Sequence, residues 1–179
     1  MNRFVLPLGI FAALALVLAV GIRHSADKGM IPSPLIGKPA PQFTAPVLTD
    51  SARTFRSSDL KGRWYVFNVW GTWCVECREE HSALLQIHAR SRIPLIGLDW
   101  RDRDPQALQW LSELGNPYEV VAVDREGRTA IDWGVYGAPE TFLVNPQGIV
   151  VYKYIGALTW DAWQTKFVPR LPPEAAGKS

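Results

Sequence analysis

Two runs in the chain are apolar over strand length without the strict alternation of a half-exposed strand: WYVFNVW (64–70) and IPLIGLDW (93–100). Runs of that kind read as central strands covered on both faces. Between them, VECREEHSALLQIHA (75–89) places Leu84, Leu85 and His88 near helical spacing, which predicts a strand–helix–strand unit. A second helix is predicted over 104–114, with Asp104 as its N-cap, Pro105 at the first helical position and Gly115 past its end. Downstream come a strand at EVVAV (119–123), a turn at DREG and a short helix near 129–133. The strands TFLVN (141–145) and IVVYKYI (149–155) follow, split by the turn PQG, and then a helix over 160–168. Ahead of the central unit, QFTAPVLTDSARTFRSSDL (42–60) reads as a small hairpin and a capped turn. The pattern is α/β: one domain over 35–173 with helices on both faces of a mixed sheet, and a tail at 174–179.

The first residues follow a different pattern. From Phe4 to Ile22 the sequence FVLPLGIFAALALVLAVGI carries no charge, and its nineteen residues come close to the ~20 needed to cross a hydrocarbon layer about 30 Å thick as a helix. The run exceeds the apolar core of a cleaved signal peptide, and no clear Ala-x-Ala site follows it, so 1–22 is expected to be an uncleaved membrane anchor. Residues 23–34 are polar and then carry Pro32 and Pro34, as suits an extended linker.

Charge narrows the partners. The formal net charge of the 179 residues is +2, and no run of five basic residues occurs, which argues against nucleic acid. No Gly-rich phosphate loop, Ser-His-Asp set or H-x-x-x-H pair occurs, so neither a metal site nor a bound cofactor is expected. Only two cysteines are present, Cys74 and Cys77, which cannot make a disulfide framework; the fold must rest on its apolar core.

Their placement suggests chemistry. Cys74 falls where a buried strand has just ended, and Cys77 lies in the first turn of the next helix. Free N–H groups and the helix dipole favour a thiolate there, so Cys74 is expected to be the exposed attacking sulfur and Cys77 the shielded sulfur that resolves a mixed disulfide. Three other readings compete. A structural staple across so short a loop would contribute only about 2 kcal/mol. A metal clip could use Cys74, Cys77 and His81, but a fourth ligand is missing, with His24 and His88 badly placed. The pair could also be two unrelated thiols.

The strings IGKPAPQF, FNVWGTWCVECREEH, WLSELGNPY and GVYGAPETFLV, with the N-terminal apolar run, resemble the CcmG/DsbE family, the membrane-tethered thioredoxin-like proteins of cytochrome c maturation. The resemblance covers most of the chain, and GVYGAPETF is its most specific part. It implies a thioredoxin-like fold with an added N-terminal β-hairpin and a helix–strand insertion near 104–123. It implies that Pro139, after Ala138, is a cis proline facing the cysteines, leaving backbone groups beside Ala138 free to pair with an extended substrate. It implies a domain in the periplasm on an inner-membrane anchor, with apocytochrome c or a haem-ligation thiol protein as substrate and a membrane thiol protein as electron donor.

Negative charge near a sulfur opposes its ionisation, and Glu76, Glu80 and Glu140 are expected around the pair, which favours a reductant over an oxidant. Asn68 stands where the thioredoxin pattern has a buried aspartate, so Glu80 or Glu140 would have to move the proton of Cys77. Trp73 and Tyr136 are expected to line the substrate groove. Val75 departs from the proline that many relatives carry after the first cysteine. A general periplasmic oxidant or isomerase, and a non-catalytic factor binding apocytochrome, remain as alternatives.

Overall fold

The computed structural model describes residues 5–25 and 33–177. One helix, α1 (Val5–Ser25), forms a unit of its own and runs three residues into the expected linker. Its side chains are described from Pro7 to Ala19, where they are exposed, and over the side chains so described no helix is long and apolar enough to cross a membrane. The middle of the linker, 26–32, and the last two residues of the tail lie outside the described residues.

The body begins with the hairpin β1 (Thr44–Val47) and β2 (Asp50–Arg56), followed by a 3-10 turn over Ser57–Leu60. The central unit follows as expected: β3 (Tyr65–Trp70), α2 (Val75–Arg90) and β4 (Leu95–Trp100), the strands parallel. Every residue of β3 is buried, which is why its sequence shows no alternation. Next are α3 (Asp104–Leu114) and β5 (Val120–Asp124), parallel to β4. The N-cap of α3 is Arg103, one residue earlier than expected, so Asp104 sits in the first turn. After α4 (Arg128–Asp132) come the antiparallel strands β6 (Glu140–Val144) and β7 (Val150–Ile155).

The sheet runs β2-β1-β5-β4-β3-β6-β7, so β3 is central and has β6 antiparallel on its other edge. The hairpin and the α3–β5 unit add strands to one side, as the expected insertions do. One face packs Val66, Trp70, Leu84, Ile87, Leu95 and Tyr118 under α2 and α3; the other packs Phe67, Ile96, Leu98, Trp133 and Phe142. The closing helix is broken: α5 (Trp160–Ala162) passes into a π-turn over Trp163–Phe167 and a 3-10 turn over Val168–Arg170, where Pro169 can donate no N–H. A last turn, α6 (Pro173–Ala176), occupies part of the expected tail.

Candidate active site

Because β3 ends in the centre of the sheet, its C-terminal edge delivers Cys74 to the N-terminus of α2. Cys74 is the N-cap, with extended backbone (φ −94°, ψ 114°), and the N–H of Cys77 donates to its Sγ at 3.1 Å. That bond and the first-turn N–H groups would hold a thiolate. The two cysteines form a disulfide, with Cα atoms 5.3 Å apart. The expectation of an exposed Cys74 needs correcting: Cys74 is 6% exposed and Cys77 3%, so both are buried and the difference is small. The screen on Cys74 is the loop opposite, whose Ala138 carbonyl oxygen lies 3.2 Å from Sγ. The Ala138–Pro139 bond is cis, and Pro139 O accepts from Gly156 N–H at 3.0 Å, which ties the loop to the segment after β7.

Beneath the pair lies a buried polar network. Glu80, one helical turn beyond Cys77 on the inner face of α2, is 1% exposed. Asn68 Nδ2 donates to its Oε1 at 2.9 Å and Leu158 N–H to its Oε2 at 2.9 Å. The same Asn68 nitrogen donates to Thr141 Oγ1 at 3.0 Å, and Asn68 Oδ1 accepts from the Tyr118 hydroxyl at 2.7 Å. Burial pushes the Glu80 carboxyl up to about 8; the bonds from Leu158 and Asn68 oppose this and nearby Glu76 adds to it. Glu80 therefore holds a proton at neutral pH and can exchange it with a sulfur that changes charge. Asn68, unable to take that proton itself, orients the group that can. Glu76 is exposed in the first turn of α2, where its charge opposes a neighbouring thiolate.

Glu140 is elsewhere. Along β6 the side chains alternate, so Thr141 and Leu143 face α2 while Glu140 and Phe142 face the other way. Its carboxylate pairs with Lys153 at 2.8 Å, both side chains fully or nearly fully buried, so the expected place beside Cys77 is not where it lies. Glu140 Oε1 accepts from Tyr136 N–H at 3.0 Å, and Lys153 Nζ donates to Gly134 O at 2.8 Å. The pair thus braces the loop that carries Ala138 and Pro139. Lys153 is not singled out by the sequence, where it stands inside the strand run IVVYKYI.

Around the cysteines, Trp73 (51% exposed), Val75 (74%) and Tyr136 (64%) present apolar surface. A cleft beside them is lined by Thr72, Arg78, Gln106, Gln109 and Trp110, with the Arg78 guanidinium 4.6 Å over the Trp110 ring. His81, weighed above as a metal ligand, is engaged within the protein. Trp110 Nε1–H can only donate, so His81 Nδ1 accepts it at 3.2 Å, and Nε2–H donates to Gly115 O at 3.0 Å. Burial holds its pKa below the usual histidine value.

A cysteine pair at the head of a helix, opposite a cis-proline loop on a sheet of this order, defines a thioredoxin-like thiol–disulfide oxidoreductase. The AhpC/TSA family profile matches residues 36–153. The thiol:disulfide interchange protein DsbE of Allochromatium vinosum is 42% identical over 177 residues, covering 99% of this chain and 97% of that protein. DsbE of Pseudomonas aeruginosa is 42% identical over 164 residues, covering 92% and 89%. The crystal structure of a DsbF homologue from Corynebacterium diphtheriae shares the fold, with a TM-score of 0.65 at 24% identity over 75% of this chain and 87% of that one. The chain belongs to the AhpC/TSA family and, within it, to the DsbE thiol:disulfide interchange proteins.

Proposed function

We propose that the protein is a membrane-tethered periplasmic reductant that opens the disulfide of apocytochrome c at its Cys-x-x-Cys-His site before haem is attached. The observation that carries the direction is Glu80, a carboxyl group buried one turn below Cys77 and protonated at neutral pH. In the reduced protein, where Glu80 has given that proton to Cys77 and is itself a carboxylate, it and the exposed Glu76 make the surroundings of Cys74 acidic, which disfavours a thiolate and hence the reduced form. A pair whose reduced form is poorly stabilised gives its electrons away. The substrate follows from the resemblance carried by GVYGAPETF and FNVWGTWCVECREEH. Tethering is supported by the uncharged run from Phe4 to Ile22, whose nineteen residues come close to the ~20 of a membrane-spanning helix.

In the proposed cycle the Cys74 thiolate attacks one sulfur of the substrate disulfide, forming a mixed disulfide and expelling a substrate thiolate. Cys77 loses its proton, attacks Cys74 and releases the second substrate thiolate, so two electrons and two protons pass to the substrate. A thiol protein in the membrane then returns two electrons to the pair. As Cys77 is released in that step, Glu80 gives it a proton, and Glu80 takes one back when Cys77 closes the disulfide. Ala138 and Pro139 present backbone to an extended substrate, and Trp73 and Tyr136 cover its side chains.

The test is a competition between oxidised substrates. The reduced protein is expected to reduce a Cys-x-x-Cys-His peptide with kcat/KM at least about tenfold above that for insulin, a difference of about 1.4 kcal/mol in transition-state binding. Equal rates would remove the assignment of substrate and leave a general thiol reductant.

A further inference from the structure

We infer that Asp102 is a positioning residue of the redox site, holding the loop that presents Cys74 through bonds to Thr72. The loop Gly71–Thr72–Trp73 has one internal bond, from Cys74 N–H to Gly71 O at 3.1 Å. Its other ties come from a separate segment, the turn that follows β4. Thr72 N–H donates to one Asp102 carboxylate oxygen, and the Thr72 hydroxyl donates to the other at 2.8 Å. The second oxygen also accepts from Arg103 N–H at 2.7 Å, so the carboxylate is fixed on its own side as well. Beside it, Trp73 Nε1–H donates to Trp100 O at 3.0 Å. Trp73 folds back so closely that a Cβ on Gly71 would fall 2.5 Å from Nε1, which explains the glycine there.

The turn itself is built for this contact. Arg101 has φ 51°, in the left-handed region that a side chain disfavours, and is the one non-glycine residue there among the described residues. It is held by its N–H to Asp124 O at 3.0 Å and by its guanidinium 5.6 Å from the Trp100 ring centre. That reversal brings Asp102 back over the end of β3. The cations nearby are Arg101 and Arg103, which flank Asp102 in the chain, and Arg78, which lines the same cleft as Thr72; the acidic groups are Asp99, wholly buried below the turn, and Asp104, paired with Arg125. Neither Asp99 oxygen has a hydrogen-bond partner among the described residues, so Asp99 does not compete with Asp102 for Thr72.

The inference rests on Cys74 being the attacking sulfur, and the experiment separates the two. Full-length Asp102→Ala and Asp102→Asn are compared with wild type in detergent, using reduction of a disulfide peptide and the pH dependence of iodoacetamide alkylation, with the alkylated cysteine mapped. Alanine removes charge and acceptor; asparagine removes the charge and keeps an acceptor for Thr72 N–H. Asp102→Ala is expected to lower kcat about tenfold with KM within about threefold, and Asp102→Asn to recover most of that loss. Both variants should lower the Cys74 thiol pKa, because a negative charge has gone. Wild-type kcat and thiol pKa in Asp102→Ala, or equal losses in both variants, would overturn the positioning role. Alkylation at Cys77 in wild type would instead overturn the reading of Cys74. Should Asp102→Ala not fold, Thr72→Val, which loses only the hydroxyl bond, is expected to reduce kcat by a smaller factor, and an unchanged kcat there counts against the proposal.

Discussion

Cys74→Ser is expected to have no turnover, and Cys77→Ser to stop after one attack with substrate still attached. The asymmetry follows from position. Cys74 caps α2 and receives the Cys77 N–H, so it holds the charge needed to attack; Cys77, a turn further in, can only attack Cys74. A serine at 77 leaves the mixed disulfide with no resolving sulfur. Mass spectrometry should then show a one-to-one adduct on Cys74 that dithiothreitol removes, while the serine at 74 gives none. Losing the bridge costs only about 2 kcal/mol because the loop it closes is so short, and both variants should fold. Multiple turnovers by Cys77→Ser would mean that the second sulfur has no role in release.

The next largest effect is expected from Glu80→Gln. Glutamine fills the same space and still accepts from Asn68 or Leu158, but carries no exchangeable carboxyl proton. Turnover at pH 7 should fall about a hundredfold, in the range typical for losing a positioned acid–base group, and the limb of the pH–rate profile near pH 8 should disappear.

Stability supplies a second, independent readout in the oxidised protein, where neither cysteine titrates. Glu80 releases its proton near 4.5 when unfolded and near 8 when folded, so between those values the native state binds more protons. Its contribution is complete below pH 4.5 and is lost as pH rises through 8. Asp99, pushed up to about 7 by burial and then by Asp102 and Asp104, acts in the same direction but finishes earlier. Between pH 7 and pH 8 the wild type should therefore lose roughly 1 kcal/mol more than Glu80→Gln by urea denaturation, the variant keeping only the smaller decline due to Asp99. A parallel decline in the variant would place the titrating group elsewhere.

What the sequence conceals here has identifiable causes. The strand–helix–strand unit is legible because WYVFNVW and LIGLDW are apolar but for Asn68 and Asp99, and the cysteines are legible because that unit places them. The inner stripe of α2 is less so. It comprises Cys77, Glu80, His81, Ala83, Leu84 and Ile87, so two polar residues occupy core positions and the apolar periodicity shifts toward Leu85 and His88. His88 is on the outer side. Glu80 as a buried acid emerges only when the Asn68 opposite it is seen to need a partner.

Glu140 illustrates a different difficulty. Both faces of β6 are buried, so its sequence carries no polar–apolar alternation to say which way each residue points, and its nearness to Pro139 in the motif suggests a place around the cysteines that the side chain does not take. Lys153, its partner, lies thirteen residues on, and only the antiparallel pairing of β6 with β7 brings the two together. Asp102 is hidden for a similar reason: nothing local connects it to Thr72 across thirty residues, and the left-handed Arg101 that makes the contact carries no signature such as glycine.

The equilibrium potential of the Cys74–Cys77 pair, titrated against glutathione and dithiothreitol at pH 7, tests the proposed direction most directly. A reductant buffered by a buried acid should lie near or below about −200 mV, toward the range of glutaredoxins and thioredoxin. A potential near about −120 mV, with a Cys74 thiol titrating near 3.5, is the signature of a strong oxidant whose thiolate is heavily stabilised. That result would contradict the reductant while leaving the fold and the cysteine pair where they are.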